Sequence, residues 1–210
     1  MSRIPAAPAK SLFARHVRRE TRRRYDRDLE PIGVMSHHGW LLAGMGAFEL
    51  ALERSHRVDD KLKALGELKA AIVVGCEFCV DIGSYVSARA GVTDEQLLAL
   101  PRHREASCFD ALELLVIDYA DAMTQTPSAV TDELFARLRE HFDEAQMVEL
   151  TAAIAWENWR ARFNWAFGIG AAGFREGQAC PIPAGGGHDA AAAERPPAAA
   201  VAAQAGASAA

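Results

Sequence analysis

Glu67-Leu68-Lys69-Ala70-Ala71-Ile72-Val73-Val74-Gly75-Cys76-Glu77-Phe78-Cys79-Val80-Asp81 is the stretch on which the reading of this chain turns. Leu62, Leu65, Leu68 and Ile72 recur at helical spacing, and Asp59 or Asp60 is placed to cap the helix that carries them. The run ends at Gly75, and one Cys-x-x-Cys pair opens the next segment, a helix to about Ala90 with Gly91 at its C′ position. Thiols three positions apart share a helical face and are close enough for a reversible disulfide. A helix starting near Gly75 also sets its positive end beside the first sulfur and favours the thiolate.

Outward from this stretch the spacing predicts helices throughout. They cover Leu12 to Leu29 (stopped before Pro31), Trp40 to Arg54, and a short helix after the capping box Thr93-Asp94-Glu95-Gln96, which Pro101 ends. In the second half they cover Ser107 to Met123, Thr131 to His141, and a long helix from Asp143 through Phe167. No alternating β-branched run bounded by hairpin turns occurs, so the fold class is all-α. After Gly177 the composition collapses to Ala, Pro and Gly, which cannot bury a core. The expected organisation is an Arg-rich helical extension (1–34), a helical domain (35–177) and a disordered tail (178–210).

Bulk properties narrow the function. The chain has 210 residues, half of them hydrophobic, with formal net charge −5, and no apolar run reaches the ~18–20 residues a membrane span needs. With no export signal apparent, a cytoplasmic location is expected. There, a lone Cys-x-x-Cys is catalytic or metal-binding rather than structural. Zinc needs four ligands, and His37, His38 and His103 lie at no finger-like spacing from the pair, so no metal is expected. Arg15, Arg18, Arg19, Arg22, Arg23, Arg24 and Arg27 make a basic stretch. With acids at Glu20, Asp26, Asp28 and Glu30 among and after them, it reads as a solvated helix face, and neither nucleic acid nor membrane is an expected partner.

The stretch 67–81 with Ala90-Gly91-Val92-Thr93-Asp94-Glu95 resembles the core of the carboxymuconolactone decarboxylase family, in particular its alkylhydroperoxidase D-like branch. Ala120-Asp121-Ala122-Met123-Thr124 and 142–151 are similar to the same family's C-terminal helices, so the resemblance covers roughly residues 35–175. It implies an alkylhydroperoxidase D-like helical bundle that associates into trimers or hexamers. It also implies a Cys pair that cycles between dithiol and disulfide without a cofactor. The substrate is then a hydroperoxide or a disulfide, and a peroxiredoxin or a dithiol reductant is the redox partner. Members without the Cys pair include a decarboxylase of a small lactone, so a cofactor-free lyase, or a non-catalytic assembly protein, is the alternative.

The chain departs from that branch in its proton relay. Gly83 stands where the branch has His four positions after the second Cys, Phe78 where some members have His before it, and Ala64 where a Glu usually sits. The candidate site residues are therefore Cys76 and Cys79, either of which could attack, with Glu67 as base. On one unbroken helix Glu67 would lie ~13.5 Å from Cys76, so it can serve only if the chain reverses near Gly75. Asp81, Ser84 and His37 are further relay candidates. The capping alternative is retained for His37 and His38, and the aromatics Trp156, Trp159, Phe163, Trp165 and Phe167 read as core or subunit interface.

Overall fold

The computed structural model describes residues 2–9 and 11–181, and every regular element among them is helical. The elements are α1 (Leu12–Tyr25), α2 (Glu30–Met35), α3 (Gly39–Glu53), α4 (Asp60–Val74), α5 (Glu77–Arg89), α6 (Asp94–Ala99), a 3₁₀ turn (Leu100–Glu105), α7 (Ala111–Thr124), α8 (Asp132–Arg139) and α9 (Glu144–Phe167). Most of the tail expected to be disordered lies outside the described residues.

Helix α4 is central, packed against α5, α7 and α9. Ala64, Leu65, Gly66, Leu68, Lys69, Ala70 and Ala71 are all buried, which is how a helix enclosed on several sides reads. Gly66 permits its contact with α9, because an added Cβ there would lie 3.1 Å from Ile154 Cγ1. On one side of α4, Val116, Tyr119, Leu138, Leu150 and Ile154 form a core with α7, α8 and α9. On the other, Leu65, Leu68, Leu97, Leu100 and Ile117 pack around the cysteine pair. Burying each such leucine or isoleucine contributes roughly 2 kcal/mol.

Local signals set most helix ends. Asp59 caps α4, and the boxes Thr93/Gln96 and Asp143/Gln146 open α6 and α9. Two expected boundaries move. α1 ends at Tyr25, where Asp26 takes a left-handed conformation, and Pro31 lies in the first turn of the new helix α2 instead of stopping the old one. Proline's missing N–H costs nothing at that position. Pro101 likewise sits in the first turn of the 3₁₀ segment. α7 starts at Ala111 because Asp110 and Glu113 form a reciprocal capping box, leaving Cys108 in the preceding loop.

The N-terminal segment is tied to the domain, with Arg3 N donating to the Phe167 carbonyl at 2.7 Å. Several α1 arginines are engaged in ion pairs, Arg22 with Asp28, Arg23 with Glu20 and Arg24 with Glu53.

Candidate active site

Gly75, at φ +79°, closes α4 and reverses the chain, with its N–H bonded to the carbonyls of Ala71 and Ile72. A side chain is strained at that φ, so glycine is the residue the turn requires. Cys76 follows as the N-cap of α5 and accepts the Cys79 N–H on its Sγ at 3.2 Å. Its Cα lies 5.3 Å from that of Cys79, and the two sulfurs are joined as a disulfide. The first sulfur therefore sits at the positive end of α5, where a thiolate is favoured once the bond opens. Helix α5 folds back along α4, with Gly83 against Leu68.

Both sulfurs are covered in the chain: Cys76 is 0% exposed and Cys79 5%. Trp165 and Asn164, on the last turns of α9, close one side. Trp165 Nε1 donates to the Val74 carbonyl at 3.0 Å, and Asn164 Nδ2 donates to Cys79 Sγ at 3.3 Å. Trp165 thus belongs to the hairpin, whereas Phe48, Trp156, Trp159, Phe163 and Phe167 form a separate ladder of ring contacts.

The other cover is the segment 168–181, which leaves α9 at Gly168 (φ +67°) and lays the fully buried Ile169 into the cysteine cluster. Asp81 holds this segment. Its carboxylate, 2% exposed, accepts the N–H groups of Ala172 (2.8 Å), Phe174 (3.1 Å) and Arg175 (3.0 Å). Arg175 adds an ion pair to Asp94 at 2.5 Å, and Arg27 of the N-terminal region donates to the Ala172 carbonyl and stacks on Phe174. Ser84 is also enclosed: its hydroxyl donates to the Val80 carbonyl and lies 3.7 Å from the free thiol of Cys180. Residues 178–181 thus continue the cover, with Pro181 buried.

Glu67 lies within α4, and the chain reverses eight residues later, at Gly75. Its partner is Arg160 of α9, at 3.2 Å, which also binds Glu49 of α3 and Glu157 one turn back. Three carboxylates share one guanidinium, and burial with like-charge repulsion disfavours ionising them all. Burial pushes Glu67 up, and burial pushes Glu157 up to about 7, against the opposing pull of Arg160. Glu157 is 6% exposed, and its Oε1 has no hydrogen-bond partner among the described residues. Sequence reasoning missed Glu157 and Asn164, because nothing in a helical repeat distinguishes a polar residue aimed at a distant helix.

The raised Glu157 pKa has a defined effect on stability. Between about 4.5 and about 7 the folded protein holds a proton that the unfolded chain releases, so stability falls as pH rises through this window. The shift corresponds to roughly 3 kcal/mol. Urea denaturation of Glu157→Gln is expected to show a flatter decline from pH 5 to pH 8 than the parent. Identical pH profiles would refute the assignment.

His37 is exposed and hydrogen-bonds the Pro5 carbonyl through Nε2, while His38 caps α3 by accepting the Leu41 N–H on Nδ1. The hairpin thus gathers Cys76, Cys79, Asp81 and Ser84 on one helix end, Glu67 joins the Arg160 cluster, and His37 faces the N-terminal segment. Among the described residues, no group of three or more His, Cys, Asp or Glu is arranged to hold a metal ion.

Known proteins share this architecture. The solved structure of an uncharacterized peroxidase-related protein from Ralstonia eutropha, described as an alkylhydroperoxidase AhpD core, superposes with TM-score 0.72 at 15% identity, covering 82% of this chain and 93% of that one. The apo debrominase Bmp8 superposes with TM-score 0.68 at 19% identity, covering 77% and 87%. At these identities the likeness is one of fold. The uncharacterized protein YnjA of Escherichia coli strain K12 is 36% identical over 163 residues, 77% of this chain and 87% of that protein. The sequence model of the Carboxymuconolactone decarboxylase family matches residues 39–122, which contain α3, α4, the cysteine hairpin and most of α7. Sequence, helical architecture and hairpin agree, and the chain belongs to the carboxymuconolactone decarboxylase family.

Proposed function

We propose that this protein is a thiol-dependent oxidoreductase that reduces hydroperoxides, or the disulfide of a partner, by cycling Cys76 and Cys79 between dithiol and disulfide. The observation that carries this reading is the Cys76–Cys79 disulfide at the N-terminus of α5, on the family fold. In the peroxide reaction one thiolate attacks the O–O bond, the alcohol leaves after taking up a proton, and the sulfur becomes a sulfenic acid. The second thiol then condenses with it, releasing water and closing the disulfide. A dithiol reductant reopens the pair and is itself oxidised to a disulfide.

The burial of both sulfurs implies that the 168–181 cover shifts during turnover, since its Ile169 and Phe174 pack into the cluster around the pair. Glu157 is suited to proton storage, because burial pushes its carboxyl up to about 7, and burial raises Glu67 beside it. The exposed apolar side chains Trp40, Leu41, Phe48 and Leu50 on α3 fit association into a homo-oligomer, which would remove them from water.

The direct test is intact mass after treatment with cumene hydroperoxide and then with dithiothreitol. Loss of two hydrogens, mapped to the peptide holding Cys76 and Cys79 and reversed by the reductant, is the expected result. A pair that stays reduced in oxidant, or never reopens in reductant, removes the basis for redox turnover.

A further inference from the structure

Each sulfur of the pair has its own hydrogen-bond donor, and the two donors come from different parts of the chain. Cys76 Sγ receives the Cys79 N–H of its own helix turn, a contact that any Cys at an N-cap can make. Cys79 Sγ receives the side-chain amide of Asn164 at 3.3 Å, from a residue 85 positions away. Asn164 is only 4% exposed, on a helix face whose neighbour Ala161 is fully buried. A polar side chain this enclosed is retained only where it meets a partner, and its donor meets a reacting atom.

Its placement is fixed by the backbone. The last turn of α9 closes on this residue, the Asn164 carbonyl accepting two N–H groups, that of Ile169 at 3.0 Å and that of Gly168. The closing turn of α9 therefore sets the amide and the cover over the pair together.

The charge balance shows what such a donor does. On α5 the acids are Glu77, whose carboxylate lies by Gly170, and Asp81, which is occupied by the 168–181 segment. Of the charged groups on α4 and α9, Glu67 and Glu157 join Arg160, which also binds Glu49 of α3, and the buried Lys69 pairs with Asp121. These cations are each bound to carboxylates, and burial in apolar surroundings opposes a thiolate at Cys79. The Asn164 amide, added to the positive end of α5, offsets that.

We infer that Asn164 is a catalytic residue of this site, donating a hydrogen bond that holds the Cys79 sulfur as a thiolate when the disulfide opens. This rests on the redox reading above. The step it serves is the reduction of the Cys76–Cys79 disulfide by an external dithiol. Two electrons enter the pair, the S–S bond breaks, one sulfur takes a proton, and the other remains a thiolate. The reductant closes its own disulfide. A hydrogen bond to a charged sulfur is stronger than one to the neutral disulfide, so the amide favours the reduced pair and lowers the thiol pKa.

The test measures the ionisation of Cys79 by ultraviolet thiolate absorbance in a Cys76→Ser background, subtracting Cys76→Ser/Cys79→Ser so that Cys108 and Cys180 cancel. Asn164→Leu, which removes the donor, is expected to raise the Cys79 pKa by about one unit. Asn164→Asp, nearly the same shape but an acceptor, is expected to raise it further. In the otherwise native protein, equilibration with dithiothreitol should show the Asn164→Leu disulfide about tenfold less readily reduced, or ~30 mV more negative. The isosteric Asn164→Asp decides the matter if the leucine variant fails to fold. Cys79 titrating as in the parent in a folded Asn164→Asp protein overturns the inference. A parent pair that does not cycle overturns the redox reading instead, while the titration still reports on Asn164.

Discussion

Replacing Cys79 by serine is expected to reduce dithiothreitol-dependent peroxide consumption by roughly a hundredfold or more, the scale on which one member of a coupled catalytic set acts. A serine cannot close a disulfide with Cys76, so whichever sulfur attacks, the cycle stops. If Cys79 attacks, the nucleophile is gone; if Cys76 attacks, nothing resolves its sulfenic acid. Cys76→Ser should lose activity to a similar degree, and the double variant little more, because the two residues act as one unit. The fold should survive: a serine hydroxyl at position 79 is smaller than the thiol and can still accept from Asn164 Nδ2, which now meets Cys79 Sγ. Peroxide assays on the purified variants, with circular dichroism as the folding control, decide this. Undiminished turnover in the double variant would transfer the activity to carboxylates or histidines and favour a cofactor-free lyase on the same fold.

Asp81→Ala is expected to cost about 3 kcal/mol of stability and to release the cover over the cysteines. The carboxylate accepts three backbone N–H groups from a segment 91 to 94 residues further along the chain. An orphaned buried donor costs roughly 1–3 kcal/mol, but Ala172 is exposed, so water can restore one of the three. Asp81→Asn keeps one acceptor oxygen and should lie between the variant and the parent. Urea denaturation gives the stability. Limited proteolysis, with mass mapping of the cuts, should find the alanine variant cleaved first within 168–181. Unchanged protection there would show that Arg175, with Asp94, and Ile169 hold the segment without Asp81. Faster alkylation of the reduced cysteines in the same variant would tie the cover to access.

Much of the fold was legible because its signals are local. A capping box spans four residues, a Cys-x-x-Cys at a helix start spans four, and Gly75 announces a reversal by its conformational freedom. Thr93 and Asp143 open the helices their capping boxes predict, and of the two candidates Asp59 and Asp60 it is Asp59 that caps α4. Pro31 carried its signal too, but a proline before a helix and one in its first turn look alike until α2 is seen. Asp110 with Glu113 met the criterion for a capping box and went unread, which misplaced the start of α7 by four residues.

The site divides differently. Cys76, Cys79 and the N-terminus of α5 follow from spacing alone, since three residues of helix fix which sulfurs can meet. The use of Asp81 as an anchor, the grouping of Glu67 with Glu157 and Arg160, and the amide on Cys79 Sγ were decided only when α9 and its continuation packed on α4 and α5. Period and composition report which face of a helix turns inward, not which distant polar group it meets there. Sequence therefore determined the cysteine pair and its helix, while tertiary packing chose the donors, carboxylates and cover that surround the pair.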